Sequence, residues 1–387
     1  MAGYPIGVRK LFDEALDLFR QSVRKVVETE IVPRYAKWEE QGEVSREAWL
    51  DAGRRGWLCP EAPEEYGGAG QNLLSTVVLT EELYYAGVPG FFIPLHNGIV
   101  YPYLERHANE EQKRRWVPGC VSGEKILALA MTEPGYGSDI AHLRTRARRE
   151  GDHYLVDGSK TFISNGQIAD LFVVAVRTDP DADTPHRGIS LLVVDANSPG
   201  FSRGRRLEKI GFHAQDTSEI FFEDCRVPAA NLLGEEGQGF RYMMQSLQQE
   251  RLVLSIGAVA AARGALDLTV DYVKTRQAFG QPLSKLQNTR FELAELATKV
   301  EVAQAFIDSL IERHLAGERI VKEVSMAKHF CTDTQFEVAD RCLQLFGGYG
   351  YMREYPISRH FLDARVQRIY GGANEIMKEL IARELGL

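Results

Sequence analysis

Glu250 stands where a surface carboxylate would not. Phe240, Met243, Met244, Leu247, Leu254 and Ala258 recur at steps of three and four, and Glu250 falls three after Leu247 and four before Leu254. In a helix these positions share one face, so the carboxyl sits on the apolar stripe with Arg251 at its border. A carboxyl placed there has two uses. Paired with a cation, it locks the register of a buried helix. Left short of partners, it is driven by desolvation toward a pKa at which it takes a proton near neutral pH. Spacing alone leaves both uses open. A second stretch with chemical potential is "LAMTEPGYGSDIAHL", Leu129 to Leu143. Its turn-rich core, Thr-Glu-Pro-Gly-x-Gly-Ser-Asp, offers backbone amides and hydroxyls to a polar ligand.

Other chemistries lack their residues. Cys59, Cys120, Cys225, Cys331 and Cys342 form no CxxC pair, and the nine histidines show no HExxH spacing. Neither a disulfide framework nor a metal site is expected. With 46 basic and 54 acidic side chains the net charge is -8, which argues against nucleic acid as a partner. No uninterrupted apolar run reaches about 18 residues, so no membrane span is expected. The first 30 residues carry Asp13, Glu14, Asp17, Glu28 and Glu30. A signal peptide has an apolar core and a transit peptide avoids acids, so the expected location is the cytoplasm or, for a mature organellar form, the matrix.

The elements that would hold these groups fall into three zones. A chain of 387 residues suits two or three domains. Residues 1–127 carry helical spacing, as in "LFDEALDLFRQSVRKVV", broken by "YGGAG" and by Pro89-Gly90. Residues 128–235 change period. "HYLVDGSKTFIS", with Asp157-Gly158 as its hairpin turn, "LFVVAVRT", "ISLLVVDA" and "EIFFEDCRV" read as short strands of a small antiparallel β-barrel or sandwich. Residues 236–387 return to long amphipathic helices of the kind that build an up-and-down bundle. The expected fold class is α+β, ordered helix, sheet, bundle.

Six further segments stand in a familiar order. They are "GSKTFISNG", "KIGFHAQDTSEIFFEDCRVP", "QERLVL", "TRQAFGQPLSKLQ", "CLQLFGGYGYMREYP" and "RIYGGANEIMKELIAREL". Together with "LAMTEPGYGSDIAHL" they make the chain resemble the acyl-CoA dehydrogenases over almost its whole length, most of all the long-chain type. The resemblance implies that the C-terminal helices form a four-helix bundle, and it implies FAD-dependent α,β-dehydrogenation of an acyl-CoA thioester in fatty acid β-oxidation. It also implies electron delivery to an electron-transfer flavoprotein and a homo-oligomer, usually a tetramer. It assigns Met131, Thr132, Ser138, Phe162 and Ser164 to the flavin, with Ser138 also beside the acyl-CoA. Arg276, Phe279, Gln287, Gln344, Gly347 and Gly348 match cofactor contacts, Arg276 those made to a neighbouring subunit's FAD diphosphate. Ala373, Asn374 and Glu375 match the last cofactor-binding segment. Gln248, Arg251, Tyr370, Gly371 and Gly372 match the substrate side.

In many relatives a glutamate follows the tyrosine of the C-terminal motif and acts as the base. Here Gly371 holds that position. The second family location of the base lies on a bundle helix just before an arginine, which is Glu250. The expectation is that Glu250 takes the α-proton and that the Gly371 amide holds the thioester oxygen. Two residues depart from the family pattern: Ala373 replaces a usual threonine, and Tyr136 replaces a small residue. Three rivals remain open: a flavin monooxygenase or oxidase on the same fold, a dehydrogenase of acyl chains on a carrier protein, and a non-catalytic member.

Overall fold

The structure is a computed structural model that describes residues 9–387; residues 1–8, where the stretch read for a leader begins, lie outside the described residues. Among the described residues six α-helices make the N-terminal zone: α1 (Glu14–Val26), α2 (Val32–Gln41), α3 (Arg46–Arg54), α4 (Leu73–Tyr85), α5 (Tyr101–His107) and α6 (Glu110–Ser122). Every residue of α4 is buried, so its two acids need cations. Arg20 of α1 supplies one, at 2.6 Å from Glu81 and 3.0 Å from Glu82. Pro89-Gly90 falls in the turn beyond the end of α4, as its type demands. The chain then runs through a π-helical segment, Leu95–Val100, directly into α5, with Pro102 in its first turn. Such segments shift the register of the side chains that follow.

Seven strands follow: β1 (Leu127–Ala130), β2 (Arg146–Glu150), β3 (His153–Ser164), β4 (Leu171–Arg177), β5 (Ile189–Asp195), β6 (Phe201–Arg206) and β7 (Thr217–Pro228). They hydrogen-bond in the order β1-β4-β2-β3-β7-β6, with β5 also on β4. Pairing is mainly antiparallel, but β1 runs parallel to β4, and β2 meets the end of β4 in parallel at Arg146 and Arg177. Alternation along single strands carries no signal for this direction.

Asp157-Gly158 is not a turn. The hairpin between β2 and β3 turns at Gly151-Asp152, where Gly151 has φ +61°, while Asp157 and Gly158 continue β3. Gly158 is needed for close approach instead, since an added Cβ would lie 2.7 Å from the Thr145 backbone.

The C-terminal zone holds α7 (Gly239–Thr275), the short pair β8 (Gln277–Ala278) and β9 (Gln281–Pro282), α8 (Gln287–Leu315), α9 (Val321–Phe346), α10 (Pro356–Ala364) and α11 (Asn374–Glu384). α7 is the central member and packs on α4, α8 and α9. Contrary to the expectation from uninterrupted runs, α7 is long and apolar enough in composition to cross a membrane, but most of that stretch is buried within the protein. Small residues let its neighbours close in: a Cβ at Gly257 would strike the Tyr84 ring. The expected helical zone, middle sheet zone and C-terminal helical zone are all present.

Candidate active site

One cavity of about 850 Å³ opens where the three zones meet. It is lined by α7, by the loop after β1, by the end of β3, by the Leu95–Val100 segment and by the turn before α11. Met131, Thr132, Ser138, Phe162, Ser164, Gln248, Glu250, Arg251, Tyr370, Gly371 and Gly372, far apart in sequence, all face it. Phe92, Leu95, Ile99, Leu247 and Leu254 add an apolar wall.

Glu250 lies in this wall, 6% exposed. One carboxylate oxygen, Oε1, accepts a hydrogen bond from the Tyr103 hydroxyl at 2.7 Å. Burial pushes the carboxyl up to about 7, against the Tyr103 bond and the charges of Arg251 and Arg106, which pull it down. A carboxyl so held exchanges a proton near neutrality. Arg251, also buried, acts on it through charge and favours the ionised form.

The loop after β1 is fixed from behind. Glu133 accepts from the backbone N–H of Arg144 at 2.6 Å and of Thr145 at 2.8 Å, and from Lys160 Nζ at 2.9 Å. Lys160 also donates to the Met131 carbonyl at 3.1 Å. Burial drives the ammonium of Lys160 down to about 8, while Glu133 opposes the shift. Beyond Lys160 the pairing of β3 with β7 slips by a bulge, and Phe162 takes φ +58°. The bulge turns Phe162 out to the cavity mouth, 67% exposed.

The turn before α11 is tied from α9. Lys328 is fully buried and donates to the Gly372 carbonyl at 2.8 Å and to Asn374 Oδ1 at 3.0 Å. Burial, then the charge of Arg251, pushes its ammonium down to about 7. Gly371 has φ +62°, and a Cβ there would run into Leu254, one turn beyond Glu250. The Gly371 N–H finds no backbone acceptor among the described residues. Ala373 caps α11 with no side-chain hydrogen bond. Ala373→Thr is therefore expected to stabilise the protein by about 1 kcal/mol, read as a higher midpoint in thermal unfolding.

Not every expected residue presents its polar group to the cavity. Asn374 is buried, and its amide nitrogen donates inward to Thr332 at 3.0 Å. Gln248 spends its amide on the α8–α9 turn, accepting from Ile320 N–H at 2.8 Å and donating to the Glu318 carbonyl at 3.0 Å. Arg276, Phe279, Gln287, Gln344, Gly347 and Gly348 do not line the cavity. They are exposed around the end of α7, the start of α8 and the end of α9, where Arg276 lies over the Tyr349 ring at 5.2 Å. Phe279 is 92% exposed with φ +50°, so it is not a core residue.

Three buried groups that hydrogen-bond to cavity-lining residues escaped the reading of motifs: Tyr103, Lys160 and Lys328. Lys160 shares the inward register of β3 with Tyr154 and Val156, and Lys328 lies among Val324, Ala327 and Cys331 on α9. A lysine on a buried face was a readable signal for both. Tyr103 had none, because the π-helical segment shifts the spacing ahead of it.

The residues fit a flat flavin. An exposed phenylalanine in a strained conformation, two half-buried side chains at Met131 and Thr132, and Ser164 surround the mouth, a surface a stacked ring would cover.

Comparison with known proteins follows the same outline. The acyl-CoA dehydrogenase N-terminal domain matches residues 13–124, the middle domain residues 128–225 and the C-terminal domain residues 237–386. The mitochondrial long-chain specific acyl-CoA dehydrogenase of Sus scrofa is 47% identical over 380 residues, covering 98% of this chain and 88% of its own. The crystal structure of an acyl-CoA dehydrogenase from Geobacillus kaustophilus superposes with a TM-score of 0.97 at 52% identity, covering 98% of this chain and 100% of its own. A glutaryl-CoA dehydrogenase from Mycobacterium smegmatis, solved in complex with FADH2, gives 0.90 at 29% identity over 97% of this chain and 95% of its own.

Proposed function

This chain belongs to the acyl-CoA dehydrogenase family, and from that premise we propose that it oxidises a long-chain acyl-CoA to the trans-2-enoyl-CoA with Glu250 as base. The observation that carries the proposal is the buried carboxyl of Glu250, held near a pKa of 7 in the wall of the cavity that Gly371 and Ser138 also line. The thioester carbonyl accepts a hydrogen bond from the Gly371 N–H, which no backbone group of the described residues uses. That bond strengthens as negative charge grows on the oxygen, and it acidifies the α-carbon. Glu250 removes the α-proton. FAD, when bound against Met131, Thr132, Phe162 and Ser164, supplies the acceptor for the β-hydride. The apolar wall excludes water from the anionic carbon.

The identity to the pig long-chain enzyme and the apolar lining of a large cavity support a long chain. The exposed group around Arg276 suits a diphosphate, for which a planar cation gives paired hydrogen bonds. It lies apart from the cavity, so we assign it to the FAD of a neighbouring subunit in a homotetramer. An electron-transfer flavoprotein would be the partner that takes the electrons onward. Similarity to a mitochondrial enzyme of Sus scrofa and to one of Bacillus subtilis supports a matrix or cytoplasmic setting.

The test is an anaerobic titration of the yellow protein with acyl-CoAs from short to long, straight and branched. Bleaching is expected to be fastest with long straight chains. Its rate is expected to rise with pH through about 7, because a raised carboxyl becomes a base only when it loses its proton. Bleaching by branched short chains alone would refute the substrate; a flat pH profile would refute the base.

A further inference from the structure

We infer that Tyr103 is the positioning residue of the base, its hydroxyl holding one carboxylate oxygen of Glu250 so that the other meets the α-proton. This rests on the assignment of Glu250 above. The geometry is specific. Tyr103 is fully buried, 0% exposed, and its hydroxyl lies 2.7 Å from Glu250 Oε1. A buried hydroxyl needs an acceptor, and the proposed base accepts from it, while Ser246 of α7 lies against the same phenol. A single fixed donor leaves the second oxygen with its lone pairs.

The surrounding chain is shaped to deliver this ring. The π-helical segment Leu95–Val100 lines the cavity through Leu95 and Ile99 and leads straight into α5, which carries Tyr103. One turn on, Arg106 of α5 hydrogen-bonds the amide oxygen of Gln249, the residue before Glu250. The amide nitrogen of Gln249 reaches back to the Gly98 carbonyl, inside the π-helical segment, at 3.2 Å. Three contacts therefore stitch the segment and α5 to α7 around the base, and only the one from Tyr103 touches the reactive carboxylate.

Other groups around Glu250 act at longer range. Arg106 on α5 and Arg251 on α7 favour its ionised form by charge. Lys328 of α9 is buried behind the 370–374 turn, where it faces Arg251. Tyr370 lines the cavity, and Arg241, Glu318 and Arg319 are exposed residues lining the same space. Ser246 of α7 meets the Tyr103 hydroxyl, and the hydrogen bond to the Glu250 carboxylate comes from Tyr103.

The experiment measures exchange of the α-protons of a 3-thiaacyl-CoA in deuterium oxide against pH. Sulfur at the β-position cannot give up hydride, so the reaction stops at proton transfer and the readout does not depend on turnover. Tyr103→Phe keeps the ring and removes the donor. The acid limb of the profile is expected to move up by about one pH unit and the plateau rate to fall roughly tenfold, with unchanged ligand affinity. If Tyr103→Phe does not fold, site-specific replacement of Tyr103 by 3-fluorotyrosine keeps the shape and strengthens the donor, and the limb should then move down. Profiles that superimpose on the unmodified protein in either variant would overturn the inference. Glu250→Gln separates it from its premise. If that variant still exchanges, the base itself is misassigned. If it does not exchange while the Tyr103 variants are unchanged, Tyr103 alone is wrong.

Discussion

Glu250→Gln is expected to bind FAD and acyl-CoA as before and to slow flavin reduction by roughly 10²–10⁴-fold or more. The side chain keeps its volume, and its amide oxygen still accepts from Tyr103 in the position of Oε1. What is lost is the one buried group of this wall that can take a proton near pH 7. Stability should move the other way. A carboxyl whose folded pKa is raised is more easily ionised in the unfolded chain, so folding stability falls as pH rises from its ordinary value toward about 7. The variant escapes that penalty and should melt at a higher temperature than the parent above pH 7. Rapid-mixing absorbance and thermal melts read the two effects. A Glu250→Gln protein that bleaches at the parent rate ends the assignment.

Lys160→Met is expected to destabilise the protein by roughly 3–5 kcal/mol and to release its flavin. Lys160 is fully buried and Glu133 is 5% exposed, so the carboxylate left behind would keep its donors on Arg144 and Thr145 but lose its cation in a dry setting. Glu133 ionises below its ordinary range here. Burial works against that, but the charge of Lys160 and the hydrogen bonds from Thr145, Lys160 and Arg144 outweigh it. The same ammonium fixes the Met131 carbonyl, in the loop expected to meet the flavin. The damage should therefore appear at the cofactor as well as in the melt. A yellow Lys160→Met protein with the parent's melting temperature would contradict this reading.

Much of the architecture was legible because its signals are periodic. The proline-free run from Phe240 to Arg276 lies, but for Arg276, in one helix, α7, of 37 residues. The placement of Glu250 on its stripe followed from counting threes and fours, and the carboxyl is buried as that count requires. The family motifs brought eleven expected residues to one cavity. What stayed hidden depends on contacts between distant segments. Asp157-Gly158 has the composition of a turn, yet Gly158 serves the approach of Thr145, which no local pattern contains. The parallel pairing of β1 with β4 is set by the path of the chain, not by either strand. The partner of Glu250 sits 147 residues away, behind a π-helical segment that breaks the count.

The most direct test of the central claim is α-proton exchange of a bound 3-thiaacyl-CoA in deuterium oxide, run side by side on the parent and on Glu250→Gln. Rapid deuterium uptake by the parent that increases through about pH 7, with none above the solvent rate in the variant, is the predicted result. Equal uptake by both proteins would show that the proton goes elsewhere and that Glu250 is not the base.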